Sequence, residues 1–456
     1  MMPEQFKIKT VEPIKLISKK ERIQKIKNAG YNLFNLKSKD ILIDLLTDSG
    51  TSAMSSNQWS RLMLGDESYA GSTSFEILKK TVKTMLGFKY LLPTHQGRPA
   101  ENILMSLLVK KGNYVLGNTH FDSTMAHIQA NGGIGVNLVT DDWKNSTSLN
   151  GFKGNVDLEK LEKFIIDKGS KNISLFLMTI TNNAGGGQPV SLNNIKRARE
   201  ITSKYKIPFY LDIARFAENS YFNKIRNSAY SNKTILQIVK ETMSYADGAV
   251  MSAKKDGLVN IGGFIALNDK QLFNNACKML ILLEGYITYG GLSGRDIEAL
   301  NQGLNEVVDE SYLRYRTGQV EYFGRILDKN NIPVIKPFGG HAVYINASKF
   351  YPHIKKNNFP GQTLAVELYI SGWIRSVEIV SFALSRKDPE SGITIKPEME
   401  LTRLALPRRV YTQSHIDYAA EIIFQVYNSR NKARGFKIIS DKNDPLRHFT
   451  AKLSYC

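Results

Sequence analysis

The chain has 456 residues, with 61 Lys+Arg against 42 Asp+Glu, a formal net charge of +19 and 42% hydrophobic residues. That composition is globular and excludes disorder. Two cysteines, Cys277 and Cys456, exclude a disulfide framework and a cysteine-built zinc site. The basic excess lies in short clusters such as Lys19-Lys20 and Lys355-Lys356, so it reads as solvated surface and not as a nucleic-acid footprint. The opening residues MMPEQFKIKT carry no apolar signal core, and no window offers the roughly 20 apolar residues of a membrane span. A soluble, cytoplasmic protein without a membrane partner is expected.

Residues 1–15 read as an extended arm, and 16–30 as a helix with apolar spacing at Ile17, Ile23 and Ile26 that stops at Gly30. Between about 75 and 290, helices alternate with apolar strands. Helix 75–86 precedes YLLPT, 99–110 precedes NYVLGN, 157–168 precedes ISLFLMTIT, 191–205 precedes IPFYLDIA and 234–245 precedes GAVMSA. Strands apolar throughout and separated by helices predict an α/β fold with a parallel sheet covered on both faces. From about 300 the pattern changes to a long helix, 301–329, then short strands and helices in VIKPFG, HAVYINA and TRLALPR. The expected organisation is an arm, 1–15, a large sheet domain, 46–309, and a smaller α+β domain made of 16–45 with 310–456.

Open α/β sheets place ligand sites beyond the carboxyl ends of their strands. His95-Gln96-Gly97-Arg98-Pro99 follow the first strand, and His120-Phe121-Asp122 the second. Asn182-Asn183 and a glycine run follow the third, Asp212 and Arg215 the fourth, and Ser252-Ala253-Lys254-Lys255 the fifth. This set fits pyridoxal 5′-phosphate, a cofactor that acts as an electron sink. Asp212 can keep the pyridine nitrogen protonated, Lys255 can form the imine, and Ser252 can hold phosphate. The turn Gln96-Gly97-Arg98 offers free N–H groups at a helix start, where Pro99 costs nothing. Phe121 can stack on the ring. Singly, each has an ordinary structural explanation: an Asp after a strand is often a helix cap. Five together at successive strand ends are much less probable by chance. Phosphate-loop, HExxH and GxSxG motifs are absent.

Long strings then resemble one family: IDLLTDSGT, GDESYAGS, PTHQGR, GGQPVSL, DIARFAENSYF, MSAKKD, TYGGL, GGHAV, LPRRVYT and LRHFTAKL, spread from about Phe6 to Leu453. The sequence resembles the β-eliminating amino-acid lyases, which include tryptophanases and tyrosine phenol-lyases. The resemblance implies a fold-type-I, pyridoxal-phosphate-dependent transferase-like architecture, a homotetramer with shared active sites, and activation by a monovalent cation such as potassium. It implies that Lys255 is the imine lysine and Asp212 the ring-nitrogen partner, that Arg215 and Asn183 contact the ring hydroxyl, and that Phe121 stacks. Gln96, Gly97, Arg98 and Ser252 would hold the phosphate, helped by Lys254. Arg403 would grip the substrate carboxylate with Thr47, Ser49 and Asn183. Tyr69 would reach in from a neighbouring subunit as general acid toward the leaving group. Main-chain oxygens near Gly50, Glu67 and Asn260 would hold the cation.

A few positions bear on which side chain is eliminated. In tyrosine phenol-lyases an Arg after the "RS-x-E" string and a Thr after the stacking Phe handle the phenol hydroxyl. Here Ile379 follows Arg375-Ser376-Val377-Glu378, Asp122 follows Phe121, and His448 stands in the carboxyl-terminal string. Asp122, Ile379 and His448 are the tryptophanase-like choices. An apolar Ile379 suits an indole ring, and Asp122 can accept from the indole N–H. The expected reaction is β-elimination of L-tryptophan to indole, pyruvate and ammonia. The alternatives are release of phenol from tyrosine or cleavage of cysteine derivatives. Four departures from the family pattern stand out: Pro99 for Gly, Tyr286-Ile287, Ala405 for Thr, and an added Gly185.

Overall fold

A computed structural model describes residues 3–183, 186–384, 386–387, 394–395, 399–440 and 447–456. The chain divides into a larger unit, Ser49–Asn145 with Leu149–Thr317, and a smaller one, Met1–Asp48 and Ser146–Ser148 with Gly318–Cys456. No helix among the described residues is long and apolar enough to cross a membrane.

The larger unit is built on seven strands: β1 Tyr90–Thr94, β2 Tyr114–Gly117, β3 Ile134–Asn137, β4 Ile173–Thr179, β5 Phe209–Asp212, β6 Gly248–Ser252 and β7 Gly263–Leu267. Their order across the sheet is β1-β7-β6-β5-β4-β2-β3. Side chains alternate between faces, as strand geometry requires. Phe176, Met178, Leu211, Met251 and Phe264 enter one buried cluster, and Leu175, Leu177, Tyr210, Val250 and Ile265 the other. The sheet is therefore apolar on both faces, which is why its strands read as continuous apolar runs. It is not wholly parallel, however. β7 runs antiparallel to both β6 and β1, while the remaining neighbours are parallel. β7 follows β6 through a turn without a crossover helix, so helix-strand alternation did not reveal it.

The predicted helix 301–329 is two helices, Gly294–Val307 and Glu310–Lys329. Asp309 separates them, its Oδ1 accepting the Tyr312 N–H at 2.7 Å, the capping chemistry for which Asp is favoured. In the smaller unit, β8 Ala342–Asn346, β9 Val377–Glu378 and β10 Leu401–Ala405 form an antiparallel sheet in the order β9-β10-β8. VIKPFG forms no strand, only a single bridge between Val334 and Ile345; Pro337 has no N–H to extend a ladder. Ile43–Asp44 pairs in parallel with Ile374–Arg375. The helix Lys19–Asn28, opened by a Ser18/Glu21 capping box, packs on helix Pro360–Gly372.

Candidate active site

Five strands of the larger unit carry the candidate residues at their carboxyl ends. After β1, Thr94 Oγ1 donates to the Gln96 carbonyl at 2.7 Å, shaping the turn that opens the helix Gly97–Leu108. A Cβ on Gly97 would lie 2.7 Å from Ser252 Cβ at the end of β6, so glycine lets these two segments meet. Gln96 makes no side-chain cap to this helix. Its amide oxygen instead accepts from Lys254 Nζ at 3.1 Å. Burial pushes the Lys254 amine below its ordinary pKa, and the charge of Arg98 adds to this. An uncapped helix start, a hydroxyl and two cations are thus gathered, the donor set that an anion such as phosphate requires. Pro99 occupies the first turn of this helix, where its missing N–H breaks no helical bond.

Asp212 ends β5, in register with Thr179 on β4 and Val250 on β6. It is 8% exposed and its Oδ1 accepts from the Ala214 N–H at 3.1 Å. Burial raises its pKa, opposed by Lys255, the Ala214 N–H and Arg215. Lys255 lies in the turn that follows β6, its carbonyl accepting from Leu258 N–H. Asp256 beside it takes the N–H groups of Ala217 and Glu218, fixing the start of the helix Phe216–Arg226. Arg215 is buried at the head of that helix. Phe121 precedes the helix Asp122–Ala130, of which Asp122 is the first residue. Asn183 is buried beyond β4, next to Asn182, whose Oδ1 accepts from Thr119 at 2.6 Å. Gly185 lies outside the described residues.

Gly50 and Asn260 meet. Gly50 N–H donates to the Lys254 carbonyl at 2.8 Å, and Asn260 Nδ2 donates to the carbonyls of Gly50 and Ser52 at 3.0 and 2.9 Å. Ser49 adjoins this turn. The Glu67 carboxylate accepts from Arg295 Nε at 2.9 Å. Tyr69 is 69% exposed, its ring stacked on Tyr286 and edge-on to Tyr289, each at 5.4 Å between centroids. A hydrogen bond with Tyr289 holds its hydroxyl pKa above the ordinary value.

Four predicted residues belong to the smaller unit. Arg403 sits on β10 between Val377 and Tyr344, its Nη2 donating at 3.0 Å to the carbonyl of Leu46, next to Thr47. Ala405 is buried two residues on, its N–H donating to the Leu45 carbonyl. Ile379 is half-buried just after β9, its N–H donating to the Leu401 carbonyl at 3.2 Å. His448 is buried and its carbonyl accepts from Asn32 Nδ2.

Sequence reasoning missed Glu101. It is buried on the helix Gly97–Leu108, accepts from Ser123 Oγ and Thr124 Oγ1 at 2.6 and 3.0 Å, and is pushed up to about 7. Burial is the main cause and the charge of Asp212 the next. Its place among Ala100, Leu104 and Met105, on the apolar side of the helix, was the available signal.

Three kinds of comparison agree with this architecture. The β-eliminating lyase family profile matches residues 44–422. A tyrosine phenol-lyase from Clostridium tetani is 46% identical over 99% of this chain and 98% of its own length. A tryptophanase from Salinibacter ruber is 49% identical over 99% of this chain and 95% of its own. Among solved structures, Sphingomonas wittichii serine palmitoyltransferase aligns with a TM-score of 0.58 at 11% identity, covering 86% of this chain and 88% of that one. The fold is that of the type I pyridoxal-phosphate-dependent enzymes, and the chain belongs to the β-eliminating lyase family.

Proposed function

We propose that this lyase uses pyridoxal 5′-phosphate to eliminate indole from L-tryptophan, leaving pyruvate and ammonia. The observation that carries the cofactor reading is the meeting of the Gly97 turn, Ser252 and Lys254 beside a buried Asp212 that faces Lys255. The cradle matches the group. Gln96, Gly97, Arg98, Ser252 and Lys254 would hold its phosphate, Asp212 its ring nitrogen, Arg215 and Asn183 its ring hydroxyl, and Phe121 its face. When bound, the cofactor supplies an electron sink for the charge that develops at the substrate's α-carbon.

The chain's own groups do the rest. Asp212 keeps a proton on the ring nitrogen. Lys255 Nζ removes the α-proton, and Arg403, aided by Thr47, Ser49 and Asn183, takes the substrate carboxylate. Tyr69 Oη delivers a proton to the leaving carbon, without which the carbon–carbon bond cannot break. Its exposure on one chain supports its service to a neighbouring subunit of a homotetramer. The carbonyls of Gly50 and Asn260, with Glu67, are the proposed seat of a monovalent cation, potassium. We place the enzyme in the cytoplasm.

The leaning toward indole rests on Asp122 at a helix start and Ile379 where a phenol-binding Arg would stand. Relatives named tyrosine phenol-lyase and tryptophanase share 46–49% identity with this chain, so overall identity does not separate the two substrates and the proposal rests on these side chains. The test is purification with pyridoxal phosphate and potassium. The protein should be yellow, borohydride should bleach it, and mass spectrometry should find the reduced cofactor on Lys255. A colourless protein that releases neither indole nor phenol contradicts the reading.

A further inference from the structure

Glu101 joins two parts of the proposed cofactor site. It lies one turn beyond Arg98 on the helix whose first residue, Gly97, packs on Ser252. Its two carboxylate oxygens accept from Ser123 Oγ at 2.6 Å and Thr124 Oγ1 at 3.0 Å. Those hydroxyls belong to the first turn of the helix Asp122–Ala130, immediately after Phe121 and Asp122. One acid therefore fixes the spacing between the anion-binding turn and the segment that carries the ring-stacking and indole-reading side chains. The charged groups facing it are Asp212, which repels its charged form, and Lys255, which favours it. Arg98 lies on its own helix, and Asp122 and His127 on the helix packed against it.

We propose that Glu101 is a positioning residue of the lyase site, tethering the Phe121–Asp122 turn through Ser123 and Thr124 and setting the charge felt by Asp212. This rests on the cofactor reading above. A carboxyl that shares a dry environment with Asp212 changes the field at the ring nitrogen each time it gains or loses its proton. The tether acts on geometry and the charge acts on protonation, so two variants separate them.

Glu101→Gln keeps the shape and removes the charge; Ser123→Ala with Thr124→Ala keeps the carboxyl group and removes the tether. In the wild-type holoenzyme, the absorbance of bound pyridoxal phosphate is followed against pH. In E101Q its midpoint should move by about one pH unit or more, and pyridoxal phosphate affinity of the apoprotein should lose its dependence on pH near 7, the value to which Glu101 is raised. In the double variant KM for tryptophan should rise about tenfold, the scale of lost hydrogen bonds to a charged group. The loss on S-ethyl-cysteine, which has no indole to place, should be smaller than the loss on tryptophan. An E101Q midpoint and affinity identical to wild type overturn the electrostatic role, and an unchanged tryptophan KM in the double variant overturns the tether. Should E101Q fail to fold, the double variant alone decides the positioning role. Wild-type protein that binds no pyridoxal phosphate sinks the cofactor reading itself, a result distinct from either.

Discussion

The larger unit buries charge in two different ways. Glu218 meets Arg316 at 3.1 Å, with side chains 1% and 2% exposed. Glu101, also buried, meets hydroxyls and stands near a second acid, Asp212. The first arrangement compensates charge with charge, and its value lies in holding helices Phe216–Arg226 and Glu310–Lys329 in place. The second leaves carboxyls whose protonation is contested, the condition under which acids serve chemistry. Buried charge alone therefore does not mark a site; the nature of its partner does.

Five substitutions test this contrast. The largest effect is expected from Lys255→Ala, which removes the proposed base and should lower turnover by about a thousandfold or more while leaving the folded protein intact. Turnover and urea unfolding measured together check it. Arg316→Ala should act in the opposite sense, leaving Glu218 buried without its cation and costing about 3–5 kcal/mol of stability. Unfolding curves that match wild type would show the pair to be dispensable.

Glu101→Gln tests the contested acid. A carboxyl whose folded pKa is raised binds protons more tightly folded than unfolded. Stability is then lost as pH climbs from about 4.5, the unfolded value, to about 7, the folded one. The apoprotein should forfeit about 3 kcal/mol across that window, on the scale of the shift, and E101Q should escape that loss. Equal pH slopes in the two proteins would remove Glu101 from the account. Asp122→Thr should depress turnover of tryptophan about tenfold to a hundredfold while sparing S-alkyl-cysteines; equal losses would show that Asp122 does not read the indole. Smallest of all, Arg325→Ala breaks an exposed pair with Glu321 one helical turn away and should shift stability by less than about 0.5 kcal/mol.

Much of the fold was legible because periodicity reports burial. YLLPT, ISLFLMT and FYLD are strands whose residues are nearly all buried, so their apolar runs were unmistakable. Ile134–Asn137 escaped notice because this edge strand is only partly buried and carries no such run. Gly263–Leu267, although fully buried, escaped because it follows Gly248–Ser252 through a turn, without the intervening helix by which the other strands were recognised. The helix 301–329 was overextended because Asp309 interrupts it without disturbing its apolar spacing. The placement of Asp212 and Ser252 at strand ends, with Lys255 in the turn that follows, was legible in the sequence. Glu101 was not, because its partners, Ser123 and Thr124, lie on another helix and only the fold brings them together.

The measurement that tests the account most directly gives the purified enzyme, with pyridoxal phosphate and potassium, L-tryptophan and L-tyrosine side by side and compares kcat/KM for indole and phenol release. With Asp122, Ile379 and His448 in place, indole release should exceed phenol release by at least about tenfold. Phenol release equal to or faster than indole release would contradict the assignment of tryptophan.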